Sequence, residues 1–333
     1  DLLSAKPSNV LMPEQIDSFQ KTAVPISTLL EAWLPTNYAG VFLLLRACLD
    51  LRLPALIKEA GWPDSASNTS LSMLLAALGK RLAGKRDDEF DPGLALWSGS
   101  DSLPTDLSTA WPGSTLADEM RWQTSLLRTL AVLRFVQRDH LLLYETNLNG
   151  HAALIGADAG GILWPYGCII DSERSVEEIA GNWQATWSEA TGEKPELITA
   201  ETAARHEKWR LKYEYGAAAC QSTFAALERG RLGRPQQDLT VALLGAALLR
   251  VWSRWLRQFD TSSPTYLIRQ FIRRPGFIRL SAGVLQVQLA PRPLDMILEM
   301  AGYLEPLENL SWLPYRQVTF HSGGGAFQGH YQE

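Results

Sequence analysis

The residues best suited to chemistry in this chain are its five histidines, and their spacing does not predict a metal site. A helix-borne metal site favours ligands three or four residues apart, because their side chains then project from one face. No two of the histidines have that spacing, and His206 has only Glu207 beside it and Glu201 five residues before it. We therefore expect no bound metal and no cofactor. The histidines are His140, His151, His206, His321 and His330.

Two glycine-rich segments and one serine resemble phosphate-binding or nucleophile loops only superficially. Residues 156–161 and 323–325 are rich in glycine, but neither has the spacing of a P-loop. Ser322 follows His321 and precedes three glycines, yet the Gly-x-Ser-x-Gly frame of a nucleophile elbow is absent. A turn between strands explains the first segment better, and a flexible polar tail at residues 321–333 explains the second.

Two surface segments are expected between the helices of the first half. An acidic run has the residue types of paired acid/base carboxylates or of calcium ligands, but it lacks the alternating positions and closing glutamate of a calcium loop. We favour a solvated turn. Residues 97–113 are rich in Ser, Pro, Asp and Gly, which predicts a surface loop that Trp97 and Trp111 attach to the core. The acidic run consists of Asp87, Asp88, Glu89 and Asp91.

Two tryptophan pairs have helical spacing, Trp183 with Trp187 and Trp252 with Trp255. Exposed parallel rings would form a platform for a sugar or for a nucleic-acid base. Apolar residues at this spacing more often belong to the core, so core packing is the favoured interpretation.

Arginine dominates the charge of residues 229–279. This segment contains ten arginines, two aspartates and no lysine, which gives a local net charge of +8. Because the guanidinium is weakly hydrated and offers a planar fork of donors, such a cluster favours pairing with carboxylates. The favoured carboxylates are those of the chain's own acidic helices. A protein partner is the second interpretation, and nucleic-acid phosphates are the third.

If a protein partner is bound, four of these arginines are the candidates for its acidic contacts. On that interpretation, an Arg273→Glu/Arg274→Glu variant is expected to keep its fold and to lose its place in an assembly. The candidates are Arg254, Arg257, Arg273 and Arg274.

The composition predicts a soluble protein without a dedicated nucleic-acid surface. The 333 residues are 46% hydrophobic and 20% charged, and the formal net charge is −5, so no overall positive charge is available to neutralise phosphates. The three cysteines lack Cys-x-x-Cys spacing, which predicts buried free thiols and a reducing, cytoplasmic compartment. The apolar runs are far shorter than the roughly 20 residues of a membrane span, so none is expected.

The length predicts two lobes, because single cores stop growing near roughly 250 to 300 residues. Residues 1–21 lack periodicity and carry two prolines, which is typical of an arm or linker. Residues 22–137 have helical periodicity, strongest over residues 115–137, and form the N-terminal helical lobe. Residues 138–320 form the C-terminal α+β lobe, ahead of the tail at residues 321–333.

The predicted β-structure lies in the C-terminal lobe. Short apolar segments within residues 141–170, separated by Asn149-Gly150 and by residues 159–161, predict a small mid-chain sheet. Alternating residues on both sides of Ser281-Ala282-Gly283 predict an antiparallel hairpin, and residues 317–320 predict a closing strand. The expected fold class is α+β and predominantly helical, with the mid-chain sheet, the C-terminal hairpin and the closing strand.

The order and spacing of short motifs in residues 250–320 resemble a known family. The segment resembles the C-terminal part of accessory proteins encoded with extracellular contractile injection systems, the phage-tail-like particles that bacteria use to deliver toxins. Asn37-Tyr38-Ala39-Gly40 and the apolar run after it are similar to a phrase in proteins identified as tape-measure components of these particles. The motifs of residues 250–320 include Arg254-Trp255-Leu256, Ser262-Ser263, Tyr266-Leu267, Arg274-Pro275-Gly276, Pro293-Leu294, Ala301-Gly302 and Trp312-Leu313-Pro314.

The resemblance implies a non-enzymatic structural or assembly role and carries over no catalytic residue. Other particle proteins would be the partners, whether tape measure, baseplate or cap, and the chain would be cytoplasmic during assembly and then particle-associated. A tape measure is a long helical rod, whereas this chain predicts a compact fold, so an end domain, a chaperone or an accessory subunit fits better. Homo-oligomers are common among such components.

Two other functions stay open. One is a particle-delivered effector enzyme, a hydrolase or transferase whose site is assembled from residues distant in sequence. The other is a ligand-binding module that uses exposed tryptophans.

Overall fold

The fold is α+β and predominantly helical, as the sequence predicts, and its strands form two sheets of four strands each. A computed structural model of the chain describes residues 32–62, 69–84, 91–99, 116–132, 140–148, 150–158, 163–170, 175–227, 234–259 and 262–322. The predicted arm at residues 1–21 lies outside these ranges.

Eleven α-helices form within the described residues. Short 3₁₀ segments, Ala39–Leu44 and Arg254–Phe259, adjoin the first and ninth helices, and a π-helical turn, Ile268–Ile272, follows the tenth. The helices are α1 Leu45–Asp50, α2 Leu53–Glu59, α3 Thr69–Ala83, α4 Pro92–Ser98, α5 Leu116–Val132, α6 Val176–Thr191, α7 Ala200–Arg205, α8 Glu207–Leu227, α9 Pro235–Ser253, α10 Pro264–Leu267 and α11 Asp295–Met300.

One predicted loop begins as a helix, because Asp91 caps it. The Asp91 carboxylate accepts the backbone N–H groups of Gly93 and Leu94 at 2.8 and 3.2 Å, and Pro92 occupies the first turn, where its missing N–H has no consequence. Trp97 and Ser98 therefore lie in α4 rather than in a surface loop, and residues 100–113 of the predicted loop, with Trp111, lie outside the described residues. Trp97 does attach this segment to the core, and its indole N–H donates to the Leu75 carbonyl at 2.8 Å.

The mid-chain sheet has the strand order β4-β3-β2-β5. Strands β2, β3 and β4 form an antiparallel meander, and β5 adds to β2 in parallel. α9 packs along β4. The strands are β2 His140–Leu148, β3 His151–Ala157, β4 Leu163–Ile169 and β5 Glu196–Ile198.

The second sheet joins the two ends of the described chain and is called the terminal sheet below. Its order is β1-β6-β7-β8, where β1 is Leu34–Thr36, β6 is Gly276–Ser281, β7 is Val284–Leu289 and β8 is Gln317–Ser322. The predicted hairpin is β6-β7, and the predicted closing strand pairs with it in parallel. β8 continues through His321 and Ser322, so the predicted tail is wrong for these two residues, and the rest of it lies outside the described residues.

The buried apolar side chains form one connected cluster that includes residues from both predicted lobes. α9 runs through it, and all its residues from 237 to 249 are buried. The span Pro235–Leu256 is long and apolar enough to cross a membrane, but 83% of its apolar window is buried inside the protein, which is the pattern of a core helix. The lobe boundary at residue 137 stays a prediction, although β1 pairs with β6 across it.

The Asn37-Tyr38-Ala39-Gly40 turn lies directly against the turn before β6. The Gly40 N–H donates to the Arg274 carbonyl at 3.2 Å, and a Cβ atom at Gly40 would clash with the Phe271 carbonyl oxygen. Only glycine permits this backbone approach. The Asp91 carboxylate holds the same turn from the other side, because it accepts the Thr36 hydroxyl at 2.6 Å and the Asn37 N–H at 3.1 Å.

Candidate interaction surface

The residues with the chemistry of a metal or acid/base site do not converge in the described part of the chain. No group of three or more His, Cys, Asp or Glu side chains there has metal-binding geometry. Of the acidic run, only Asp91 is described, and it is buried as a helix cap, so the predicted solvated turn is wrong for that residue.

One cluster of titratable groups does form, between β2 and α8. The Tyr144 and Tyr213 rings lie 4.7 Å apart between centroids, and the Tyr213 hydroxyl donates to the Leu143 carbonyl at 3.0 Å. Burial, and secondarily the charge of Asp158, raise the pKa of the Cys220 thiol well above its usual range. A thiol with a raised pKa stays protonated near neutral pH, so Cys220 is not an activated nucleophile.

The tryptophan pairs belong to the core, with one exception. Trp183, Trp187 and Trp252 are buried, and Trp187 stacks on Trp164 with ring centroids 4.1 Å apart. These rings are not available as a binding platform. Trp255 is 52% exposed, because it lies in the 3₁₀ segment beyond the buried part of α9.

The two arginines of the basic turn bind the protein's own backbone. The Arg273 guanidinium donates to the Leu82 carbonyl at 2.9 Å, which ties the turn to α3. Arg274 is 1% exposed, and it donates to the Ala290 carbonyl and to the Asp295 carboxylate, both at 2.6 Å. Arg274 is therefore not an acidic-partner contact, and pairing within the chain, the interpretation favoured from the sequence, holds for it.

Arg292, three residues after the end of β7, also binds backbone carbonyls close to the basic turn. Its guanidinium donates to the carbonyls of Arg269, at 3.1 Å, and Gln270, which lie in the π-helical turn. Its own N–H donates to the Asp295 carboxylate at 3.1 Å. The turn at residues 273–275 thus contributes Arg274, which binds Ala290 and Asp295, and the turn at residues 291–293 contributes Arg292, which binds Arg269 and Gln270. A glutamate pair at positions 273 and 274 would remove the hydrogen bonds that the Arg273 and Arg274 guanidinium groups donate, so we now expect such a variant to lose stability rather than to keep its fold.

The remaining two candidate arginines follow α9. Arg254 is exposed, immediately before Trp255. The side chain of Arg257 lies outside the described part of the structure. Of the four candidates, Arg254 is thus the one whose side chain is described and exposed on the surface.

Trp255 is oriented by a residue from the other end of the chain. Its indole N–H donates to the Asp50 carboxylate, at 3.3 Å, in α1. One turn before Asp50, Arg46 lies over the Tyr303 ring, 5.9 Å from its centroid, and the Tyr303 hydroxyl donates to the Trp252 carbonyl. These contacts hold the ends of α1 and α9 together. We call Arg254, Trp255 and Asp50 the tryptophan corner.

Sequence reasoning did not single out Trp255 as exposed, and it did not consider Asp50. Trp252 and Trp255 have the same local signal, three residues apart in one helical pattern. The difference between them depends on Asp50, which lies 205 residues away in sequence. No local pattern carries that information.

Comparison of the chain with protein-family models, with curated proteins and with solved structures found no match.

Proposed function

We propose that this chain is a non-enzymatic assembly component of a bacterial contractile injection particle and that it binds other particle proteins. The observation that carries the proposal is the contact between the two segments that resemble particle proteins. The Asn37-Tyr38-Ala39-Gly40 turn lies against residues 271–274, and β1 pairs with β6. Two resemblances 200 residues apart in sequence thus belong to one structural unit.

The tryptophan corner is the proposed partner surface. Tryptophan and arginine are enriched among the residues that dominate protein interfaces, because both combine a large contact area with directional donors. Trp255 is held in position by Asp50 before any partner arrives, which lowers the entropy cost of binding. A partner with an apolar pocket and a nearby carboxylate fits this surface, since the exposed Arg254 is the sequence neighbour of Trp255. On this proposal the chain is cytoplasmic during assembly and particle-associated afterwards.

Purification of particles from the native host tests the proposal. Tube, sheath or baseplate proteins are expected to co-purify with the tagged wild-type chain, and mass spectrometry identifies them. Negative-stain imaging of the eluate is expected to show particles. Arg254→Glu/Trp255→Ala is expected to lose these proteins while keeping the thermal unfolding temperature of the wild type within a few degrees. Arg234→Glu, at an exposed arginine before α9, is the matched control and keeps them.

Two results would contradict the proposal at different levels. Normal particle composition with the Arg254→Glu/Trp255→Ala variant would reject the tryptophan corner as the contact. Recovery of the wild-type chain alone, under conditions that preserve intact particles, would reject stable incorporation altogether.

A further inference from the structure

The terminal sheet packs on the core through one of its two faces. Along β7, buried residues alternate with half-buried ones, so every second side chain points to the opposite, outer face. The 3₁₀ segment Ala39–Leu44 contacts β6 and β7 on the inner side, where a Cβ atom at Gly276 would meet the Ala39 side chain. Within β6, β7 and β8 the outer face contains no Asp or Glu. Its members there are Phe277, Arg279, Ser281, Val284, Gln286, Gln288, Gln317, Thr319 and His321.

Arg279 is held in position on the outer face by a neighbour on each side. Its guanidinium lies over the Trp33 ring, 4.9 Å from the ring centroid. Toward β7, its Nε and Nη2 groups both donate to the side-chain oxygen of Gln286, at 3.0 and 2.6 Å. Gln286 is the direct partner of Arg279 in the sheet register. These contacts restrict the long arginine side chain before any ligand arrives, which lowers the entropy cost of binding.

The same contacts use the acceptor of Gln286 and leave donors unpaired. In the described part of the chain no contact engages the Nη1 group of Arg279, and this atom reaches solvent. Because the Gln286 oxygen faces Arg279, the amide NH2 group of Gln286 is directed away from it. Thr319 lies opposite Gln286 in β8, and its hydroxyl is buried without a hydrogen-bond partner. We call Trp33, Arg279, Gln286 and Thr319 the arginine row.

The acidic residue closest to this face by sheet register, among the described residues, is Glu308. It follows Leu307, which bridges to Val318 at the outer edge of β8. Three strand spacings, about 14 Å, therefore separate its backbone from that of Arg279. This distance exceeds the Debye length of about 8 Å at physiological salt. Glu308 thus does not neutralise the positive charge of the arginine row.

We infer that the outer face of the terminal sheet binds a protein partner that places an Asp or Glu carboxylate on Arg279 and Gln286. The two oxygens of a carboxylate match the end of the guanidinium fork, between Nη1 and Nη2. Unpaired N–H donors beside a fixed positive charge are the complement of such an anion. The inference does not rest on the proposed role in an injection particle, because it concerns the purified chain and residues outside the tryptophan corner.

The shape and charge of the face select a protein side chain over other anions. Within β6, β7 and β8, Arg279 is the one Arg or Lys of the outer face, which suits a single carboxylate. A nucleic acid needs several cations along its backbone. A sheet face is open, whereas small ligands bind in concave sites that enclose them. A protein segment supplies the contact area that a small free acid lacks.

Nuclear magnetic resonance of the isotope-labelled purified chain tests the site with a short peptide. The probe is a blocked peptide with a central glutamate and otherwise neutral residues, and the same peptide with glutamine is its matched control. The Trp33 indole N–H and the Arg279 Nε–H report binding, because both groups belong to the arginine row. The glutamate peptide is expected to shift both resonances with a dissociation constant of about 1 mM. The glutamine peptide is expected to bind at least about tenfold more weakly.

Three variants separate the charge of the arginine row from its geometry. Arg279→Gln removes the cation and is expected to abolish binding, whereas Arg279→Lys keeps the charge without the fork and is expected to weaken binding about tenfold. Gln286→Leu leaves the guanidinium less restricted and is expected to weaken binding severalfold. The Trp33 resonance reports binding in these variants, and thermal unfolding checks that the half-buried positions tolerate the changes. Arg316→Gln, at an exposed arginine before β8, is the matched control and binds like the wild type.

Two further probes identify the source of the anion. A single blocked glutamate is expected to bind about tenfold more weakly than the peptide, because it lacks the neighbouring residues that contact the sheet. Equal affinities would show that a free acid is recognised, and tighter binding of inorganic phosphate would assign the site to phosphate groups. Both results would overturn the inference. Equal binding of the glutamine peptide, no shift with the glutamate peptide, or wild-type affinity of Arg279→Gln would overturn it as well.

Discussion

Arg274 shows why the basic segment contains arginine and no lysine. Its guanidinium serves a backbone carbonyl and a carboxylate at once, at 2.6 Å each, in a site that is 1% exposed. The planar fork supplies several directed donors without losing its charge, which a lysine ammonium does not do in the same geometry. Arg81 repeats the arrangement in the core, where it donates to Asp238 and to the Leu227 carbonyl, also at 2.6 Å. The buried arginines Arg81 and Arg274 therefore serve the internal structure of the protein.

Replacing Arg274 with alanine tests this role. The Arg274→Ala variant leaves the Asp295 carboxylate and the Ala290 carbonyl without their donor, and its free energy of unfolding is expected to fall by about 3 kcal/mol. Urea denaturation measures the change. Arg269→Ala is the control, because that side chain is exposed, and its effect is expected within about 0.5 kcal/mol. Equal effects of the two substitutions would show that the buried pairing contributes nothing specific.

At the scale of elements, the mid-chain sheet ends at a strand whose outer edge is closed by side chains. The Gln236 amide accepts the Ile169 N–H at 3.1 Å and donates to the Gly167 carbonyl at 3.3 Å. Gln123 accepts the Gly167 N–H at 3.0 Å. Two glutamines, from α9 and α5, thus take the place of a further strand. An unpaired edge is a template for aggregation, and this arrangement removes it at β4.

We expect the Gln236→Leu substitution to weaken the outer edge of β4. The substitution keeps the side-chain size but leaves the Ile169 N–H and the Gly167 carbonyl without partners, and the free energy of unfolding is expected to fall by about 1–3 kcal/mol. Hydrogen exchange of the Ile169 amide should accelerate, whereas the Gly167 amide, which Gln123 still accepts, is the internal control. If both amides exchange as in the wild type, Gln236 does not protect the edge.

At the scale of the whole molecule, the single core buries many groups that ionise in alkali. Burial raises the pKa of two thiols and four phenols above their usual values of about 8.5 and about 10. For Tyr213 the pKa rises to about 12. Each of these groups therefore loses its proton at a lower pH in the unfolded chain than in the folded protein. The groups are Cys48, Cys220, Tyr144, Tyr213, Tyr303 and Tyr315.

These raised pKa values predict a loss of stability in alkali. Above pH about 8.5 the unfolded chain loses thiol protons that the folded protein keeps, so the free energy of unfolding falls as pH rises, by up to about 1.4 kcal/mol per pH unit for each such group. The tyrosines add to the slope above about pH 10. Below the unfolded pKa values this contribution is constant. Urea unfolding from pH 7 to 11 measures the slope.

A Cys48→Ala/Cys220→Ala variant is the control for that measurement. It should lose the part of the slope between about pH 8.5 and 10 and keep the tyrosine part above it. If the variant has the same dependence of unfolding free energy on pH as the wild type between about pH 8.5 and 10, the two thiols do not stay protonated in the folded state.

Local patterns were sufficient where the physical cause is itself local. The three-residue spacing of Ser175 and Glu178 predicts a helix cap, and the Ser175 hydroxyl accepts the Glu178 N–H at 3.2 Å. The β6-β7 turn was identified from Ser281-Ala282-Gly283, and Ala282 and Gly283 both have the positive φ that a two-residue hairpin turn requires. The three cysteines are buried thiols that take part in no disulfide bond, as their spacing predicts.

Predictions failed or stayed incomplete where a distant residue decided the outcome. Asp91 belongs to an acidic run that reads as solvated, but Thr36 and Asn37 donate to it from β1 and the turn after it. Arg273 and Arg274 have the local context of a surface-exposed basic turn. The carbonyl groups that they bind, and the burial of Arg274, follow from packing against α3 and the end of β7.

The amino-acid sequence is enough to establish an α+β, predominantly helical chain with its hairpin, because hydrophobic periodicity and turn residues act over a few positions. It also contains the short motifs on which the proposed role in an injection particle rests. Which arginines are buried and which tryptophan is exposed depend on the three-dimensional fold. These outcomes require side chains separated by up to 205 positions to meet, and such contacts form only when the core assembles.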